Sequence, residues 1–396
     1  ALACEEGLAG FKKTTESLCR LLIHGAGVDS LGKPDGVLDC GNSGTTARLI
    51  AGVLAGRSFS AELTGDDSLR RRPFLRITEP LSLMGASFSG DRLPFAVSGG
   101  ELRGIEYRSV RASAQVKSAV ILAGLQAAGQ TVLIEPRKSR DHTELMLQAM
   151  GAALVVEDAP EGSSRVTVSP CDHVLAPLEA KIPGDFSAAA FFLVAGSIYP
   201  GSRVLIRDVG FNPTRTGLFA VLQRMGAAMK VHNQRVSGGE VVVDLEVQSA
   251  PLRGVDISAD DVVLAIDEIP ILAVACAFAD GVSHISGAEE LRVKESDRLA
   301  MIAALLRDFG VVVEELSDGL IINGSAGLRQ RFAQHAPAQD APAQSEPSWR
   351  LSGDHRIAMC GAVVEGLCRK GFVLEDAKAV ETSFPEFVKC FETLGA

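Results

Sequence analysis

Several arginines stand where local structure does not favour them. Arg356 lies two residues after Asp354 at the head of an apolar helix, where a cation opposes the macrodipole. Arg48 falls just over one turn into the helix that opens GNSGTTAR. Arg140 occurs in SRDHTE beside Asp141 and His142, ahead of the next helix. Arginines set against propensity are expected at sites for anions, because a guanidinium offers paired donors to carboxylates and phosphates. Helix starts rich in Gly, Asn, Ser and Asp would turn unpaired amides toward the same ligands, although for any one helix ordinary N-capping explains the composition as well. LRVKESDRLA adds acid–base groups, with Glu290 and Lys294 at i,i+4 and Glu295 and Arg298 at i,i+3. Taken alone, it reads as a solvated ladder of ion pairs. The run ending at Arg72 (RRRPF) reads alone as a basic turn, and Asp267-Glu268 as an N-cap.

The elements that position these residues repeat. A short apolar signature ending in Gly recurs around Gly25, Gly85, Gly151, Gly226, Gly310 and Gly395, at intervals of 60, 66, 75, 84 and 85 residues. Each reads as the end of an amphipathic helix stopped by Gly in the left-handed cap position. Most lead into β-branched alternation, as at Ala153–Glu157 and Val311–Glu315, which predicts strands. Upstream of the last five signatures lies a polar start followed by an Ala-rich apolar helix, beginning near Gly41, Ser113, Gly184, Asp267 and Gly353. These helices are apolar nearly all round, which predicts that they are buried inside a domain. Six units divide as three plus three, giving expected domains 1–182 and 183–396. The Gln-, Ala- and Pro-rich stretch 330–347 is expected to be a disordered surface insertion. The same spacing counted back from Gly25 places the sixth polar start roughly 16 residues before Ala1. ALACEEG then resembles the tail of a helix, and an N-terminal truncation is expected; a short first repeat is the alternative.

Composition narrows the function. The chain has 396 residues, more than one core normally holds, and 46% hydrophobic against 22% charged residues fits a folded α/β protein. A net charge of −10 argues against a nucleic-acid or polybasic membrane protein. The most apolar run, Ile269–Ala279, is too short to span a bilayer, and the first residues carry no signal peptide. Eight scattered cysteines support neither a metal site nor a disulfide framework, and they suit a reducing, cytoplasmic setting.

Taken together and in order, GNSGTTAR, RRRP, SAQVKSA, SRDHTE, PGDFSAAAFFLVAG, DEIP, LRVKESDRLA, GDHRIAM and TSFPEF resemble the EPSP synthase (3-phosphoshikimate 1-carboxyvinyltransferase) family over essentially the whole chain. The SAQVKSA and SRDHTE forms are most similar to the bacterial branch often named class II. The resemblance implies a two-domain inside-out α/β barrel of six βαβαββ repeats, the first incomplete, closing on substrates at the hinge. It implies transfer of the enolpyruvyl group of phosphoenolpyruvate to the 5-hydroxyl of shikimate 3-phosphate, by a monomer with no cofactor, metal, nucleic acid or membrane partner.

The same resemblance implies the roles. Ser113, Ala114, Gln115, Ser139 and Arg140 would contact shikimate 3-phosphate, with Ser113 and Ser139 suited to its phosphate. Arg72, Arg298 and Arg356 would clamp phosphoenolpyruvate, while Asn42, Gly44, Thr45 and Gln115 line its pocket. Glu295 would protonate the methylene carbon and later remove that proton. Asp267 would orient and deprotonate the 5-hydroxyl, Lys294 would support charge between the substrates, and His355 would assist at the phosphate. The small residue Gly44 implies inhibition by glyphosate in competition with phosphoenolpyruvate.

Three departures stand out. The family's GDKSISHR-type segment is not in this sequence, Thr382-Ser383 replace a lysine that some members carry before FP, and Glu290 stands where others have a substrate-binding Asn. Two alternatives are a non-catalytic paralogue that binds anionic metabolites and a UDP-N-acetylglucosamine enolpyruvyl transferase. The latter carries a loop cysteine, and Ser68–Ile77 has none.

Overall fold

The structure, a computed structural model, describes residues 11–13, 19–25, 27, 30–328, 353–368, 380–381 and 383–392. The chain forms two compact units, Ala1–Glu179 and Ala180–Ala396.

The first unit holds two complete repeats behind a short antiparallel pair, β1 (Phe11–Lys13) and β2 (Cys19–Leu21). The first repeat runs β3 (Leu38–Asp39), α1 (Gly44–Ala55), β4 (Ser60–Thr64), α2 (Asp67–Arg71), α3 (Leu75–Met84), β5 (Ser87–Phe88) and β6 (Phe95–Ser98). The second runs β7 (Glu106–Arg108), α4 (Ala114–Gly124), β8 (Thr131–Glu135), α5 (His142–Ala149), β9 (Leu154–Asp158) and β10 (Ser164–Val168). Their sheets share one order, β3-β4-β6-β5 and β7-β8-β10-β9. The first two strands of each are parallel and joined by the apolar helix, as a parallel pair requires a crossover. The last two strands close as an antiparallel hairpin.

The second unit repeats the pattern. It begins with α6 (Phe186–Ile198), β11 (Arg203–Gly210), α7 (Gly217–Arg224), β12 (Ala228–Ser237) and β13 (Glu240–Gln248). The sheet order is β11-β13-β12, and a single parallel bridge from Gly184 to Val209 takes the place of the leading strand. The next repeat is β14 (Asp256–Ile257), α8 (Ala259–Ala265), α9 (Ile269–Ala277), β15 (Gly281–Ile285), a 3-10 turn at Glu289–Val293, α10 (Arg298–Asp308), β16 (Val312–Glu315) and β17 (Leu320–Gly324), in the order β14-β15-β17-β16. The chain continues with α11 (His355–Cys368) and α12 (Phe387–Glu392).

The all-round apolar helices are buried for the reason their sequences suggest. Every residue of α9 is buried, as is all of α6 except Ala188, and α9 packs against α6, α10, α11 and β17. Phe191 and Phe192 of α6 meet Phe387 of α12 edge-on or tilted, at 6.0 and 5.7 Å between ring centroids. Each buried ring contributes about 1.5–3 kcal/mol by removal from water. In the first unit, α1 lies against α4 so closely that a Cβ on Gly52 would sit 2.3 Å from the Ala119 carbonyl oxygen. Glycine at 52 lets two helix N-termini stand side by side, and both carry site residues.

The glycine signatures at Gly85, Gly151, Gly226 and Gly310 end helices in the expected way, with φ of 123°, 90°, 92° and 74°. The signature at Gly25 departs from the expectation. Cys19–Leu21 is a strand paired with Phe11–Lys13, and Leu22 and Ile23 stand exposed at 58% and 78%. A short amphipathic segment is stable as a helix only when its apolar face is packed, and here that face meets water. The sequence expectations for ALACEEG, for the 330–347 insertion and for the signature at Gly395 lie outside the described residues. Among the described residues, no helix is long and apolar enough to cross a membrane.

Candidate active site

Two clusters gather the residues singled out in the sequence, one in each unit.

In the first unit, Ser43 caps α1 by accepting from the Thr46 amide. Arg48, one turn in, donates from Nη1 to Gln115 Oε1 at 2.8 Å, and Gln115 Nε2 donates to Thr45 Oγ1 at 2.7 Å. The Arg48 guanidinium lies over the Phe74 ring, 4.9 Å from its centroid. A Cβ on Gly44 would fall 2.5 Å from Arg48 Nη1 and 3.4 Å from Arg72 Nη1, so Gly44, Arg48, Arg72 and Gln115 share one small space. Burial, with Arg72 and Arg76 nearby, lowers the Arg48 pKa to about 10. Cations close enough to depress one another mark a field that favours an anion. Asn42 donates to Asp66, the cap of α2, and so ties the GNSG turn to the RRRP turn.

At the head of α4, Ser113 is the N-cap, its hydroxyl accepting from the Val116 amide at 3.5 Å, and Ala114 is the first helical residue. Ser139 and Arg140 lie in the loop between β8 and α5. Ser139 is engaged within the protein. Its hydroxyl donates to Glu135 Oε1 at 2.6 Å and its amide to Glu135 Oε2 at 3.3 Å. A serine has a single hydroxyl proton, so in this arrangement that proton is not offered to a phosphate. Ser113 keeps its own.

The second cluster centres on Arg298, the first residue of α10, only 1% exposed. Its Nε donates to Asp354 Oδ2 at 2.8 Å, its Nη2 lies 2.7 Å from Glu295 Oε2, and its Nη1 lies 3.6 Å from Asp267 Oδ1. Lys294 Nζ stands 3.8 Å from the same Asp267 oxygen, and Arg356 Nη2 stands 4.0 Å from the other. Three cations thus face three carboxylates. Burial would raise the Asp354 pKa, but Arg298 beside it, with Ser296 and the Arg356 amide donating, holds it below the usual carboxylate range. Burial, with Arg356 next to it, lowers the His355 pKa, which favours the neutral ring.

The solvated-ladder reading of LRVKESDRLA is overturned. The segment is not one helix: a 3-10 turn ends at Val293, Lys294 is extended, and α10 begins only at Arg298. That break turns Lys294, Glu295 and Arg298 toward Asp267. Asp267 itself precedes the helix rather than capping it, since Glu268 is the cap residue of α9 and makes no side-chain cap bond.

Two groups escaped the sequence reading. Lys117, Glu135 and Glu144 form a triad 1% exposed, with Lys117 Nζ 3.0 Å from Glu135 and 2.8 Å from Glu144. In the second unit, Ser187 donates to the buried Glu268, and Arg215 donates to Ser187 at 2.8 Å and pairs with Asp185. The available signal was a lysine inside an otherwise apolar helix, SAQVKSAVILAG, where a charge has to be paired.

Comparison with known proteins shows the family. Residues 9–391 match the family model described as EPSP synthase (3-phosphoshikimate 1-carboxyvinyltransferase). A relative in Gluconobacter oxydans named 3-phosphoshikimate 1-carboxyvinyltransferase is 46% identical over 379 residues, covering 95% of this chain and 82% of its own. One of the same name in Acidithiobacillus ferrooxidans is 47% identical over 93% of this chain and 80% of its own. The solved structure of EPSP synthase from Acinetobacter baumannii superposes with a TM-score of 0.78 at 38% identity, covering 97% of this chain and 84% of that one. The enolpyruvyl transferase NikO from Streptomyces tendae, 16% identical over 87% of this chain and 75% of its own, shares the fold with a TM-score of 0.62.

Proposed function

The chain belongs to the EPSP synthase family, and from that premise we propose that it transfers the enolpyruvyl group of phosphoenolpyruvate to the 5-hydroxyl of shikimate 3-phosphate. In the addition step, Asp267 takes the 5-hydroxyl proton as the oxygen bonds to C2 of phosphoenolpyruvate, and Glu295 delivers a proton to C3. The product is a tetrahedral ketal phosphate. In the elimination step, Glu295 recovers a proton from C3, the double bond re-forms, and the C2–O bond to phosphate breaks as the leaving phosphate takes the proton held by Asp267, which returns both carboxyl groups to their starting state. Both carboxylates lie against one guanidinium, at 2.7 and 3.6 Å, which fixes their positions at the reacting centre. Lys294 and Arg356, on either oxygen of Asp267, supply positive charge for the carboxylate and phosphate of the donor, with His355 assisting at the phosphate.

The residues of the first unit serve binding in this reading. Ser113, Ala114, Gln115 and Arg140 hold shikimate 3-phosphate, with Ser139 fixing the turn beneath Arg140. Gly44, Arg72 and Gln115, with Arg48, face phosphoenolpyruvate.

One observation carries the proposal: Asp267 and Glu295, far apart in sequence, meet at a single buried arginine. The test is phosphate release in the presence of each substrate alone and of both. Release that requires both, with an equal amount of enolpyruvyl product, is the expected result. Release with UDP-N-acetylglucosamine replacing shikimate 3-phosphate, or none with either acceptor, would overturn it.

A further inference from the structure

The buried triad of the first unit has no part in the chemistry above, yet it touches both segments assigned to shikimate 3-phosphate. Glu135, the last residue of β8, spreads its carboxylate between them. Oε1 accepts from the Ser113 amide at 3.1 Å and from the Ser139 hydroxyl at 2.6 Å, and Oε2 accepts from the Ser139 amide at 3.3 Å. Lys117, one turn into α4, pairs with Glu135 at 3.0 Å and donates to the Ser139 carbonyl at 3.2 Å. Ser139 is therefore held at its amide, its hydroxyl and its carbonyl, and every one of those bonds leads to a side chain 1% exposed. Removing such a charge pair from water is costly, and hydrophobic residues of similar volume often serve stability as well. A pair that instead ties two loops together has a geometric use.

We propose that Glu135, anchored by Lys117, is a positioning residue for shikimate 3-phosphate. Its two oxygens set the separation of the Ser113 helix start from the Ser139–Arg140 turn, so that the Ser113 hydroxyl and the Arg140 guanidinium are presented in register. Ser139 is the linking residue of this brace and does not itself contact the phosphate. The inference rests on the acceptor assignment above and concerns the acceptor alone. The phosphoenolpyruvate cluster, with Arg48, Arg72 and Gly44, makes none of these bonds.

Glu135→Asp tests it most directly, since it keeps the charge beside Lys117 but draws the carboxylate back by one methylene. Calorimetric titration with shikimate 3-phosphate is expected to show Kd raised about tenfold, as loss of one aligned charge-assisted contact would do, with KM for phosphoenolpyruvate changed less than twofold. A purely structural role would move both substrates together and lower the thermal midpoint in step, and that result would overturn the proposal. Ser139→Ala, which leaves the Lys117–Glu135 pair intact, guards against misfolding of the first variant. It too is expected to weaken shikimate 3-phosphate, and unchanged binding would sink the idea. The double variant separates the brace from direct contact: losses no greater than the larger single loss support a shared brace, whereas multiplied losses indicate that Ser139 meets the ligand on its own. If the unmodified chain fails to bind shikimate 3-phosphate at all, the functional reading fails. If it binds and the two single variants bind equally well, only the present inference does.

Discussion

Each unit buries one cation among carboxylates at a helix start, but the two cations are used differently. Lys117 presents a compact ammonium to Glu135, Glu144 and the Ser139 carbonyl, and it is enclosed on all sides. Arg298 presents a planar fork. One side of the fork is spent on Asp354 inside the protein, and the other reaches Glu295 and Asp267, whose side chains are 34% and 16% exposed. A lysine can hold a scaffold together from within. An arginine can do so and still offer donors outward, because its nitrogens point in fixed, separate directions. On the proposed function, the difference gives one repeat pattern two uses, binding in the first unit and proton transfer in the second.

That contrast can be broken at its strongest point by Glu295→Gln. Removal of the acid–base group is expected to lower turnover by about 10²–10⁴-fold with shikimate 3-phosphate binding unchanged. Turnover within tenfold of the unmodified chain, measured by phosphate release, would take Glu295 out of the mechanism.

Arg298→Lys comes next. It keeps the charge but not the fork, so one ammonium cannot reach Asp354, Glu295 and Asp267 together. Turnover is expected to fall about 10²-fold, with KM for phosphoenolpyruvate rising. If lysine works as well as arginine, the argument from shape is wrong.

Lys117→Met sharpens the other side. Glu135 is left buried without its partner, a loss of about 3–5 kcal/mol in unfolding free energy by denaturant titration. The surviving folded protein should keep its KM for phosphoenolpyruvate, and a rise in that constant would blur the division of labour between the units.

Gly44→Ala is expected to act more gently. The added methyl would meet Arg48 Nη1 at 2.5 Å, and the far end of a flexible side chain can shift at some loss of its bond to Gln115. KM for phosphoenolpyruvate should rise about three- to tenfold, on the order of 1 kcal/mol, which is the worth of one such hydrogen bond.

The smallest effect concerns pH. The folded-state pKa of His355 is lowered by burial and by Arg356, so between that value and about 6.5 the unfolded chain binds the extra proton. Stability should therefore fall as pH drops below about 6.5, with a slope of at most about 1.4 kcal/mol per pH unit from this group, and His355→Asn should remove that slope. Asp354 acts in a lower window. Its pKa is lowered in the folded state, so the stability from its pair with Arg298 is complete above about pH 4–5 and is lost on further acidification. Thermal midpoints from about pH 2 to pH 8 would separate the two contributions.

Much of the fold is legible in the sequence. Apolar helices with polar starts, and glycines that end the next helix, follow from local rules of burial and backbone freedom, and they account for Gly85, Gly151, Gly226 and Gly310. The arginines at 48 and 356 stood out because they contradicted those rules. The reading failed where a local pattern needed a partner. The signature at Gly25 has a helical sequence but no packed face, and Leu22 and Ile23 remain in water. In LRVKESDRLA the charge spacing fits a helix, and the break after Val293 was invisible to periodicity.

Residue types and repeat lengths were enough for six units of helix and strand, because these depend on short-range preferences that each segment carries with it, and the ordered motifs gave the resemblance that implied the βαβαββ pattern. Which charges meet was decided only by tertiary structure. Lys117 and Glu135 are joined through β8 and α4, Arg298 and Asp354 are 56 residues apart, and the Ser139 hydroxyl turned inward. The strength of an ion pair depends on its burial and on a fraction of an ångström in its geometry, and neither quantity exists until the chain has closed on itself.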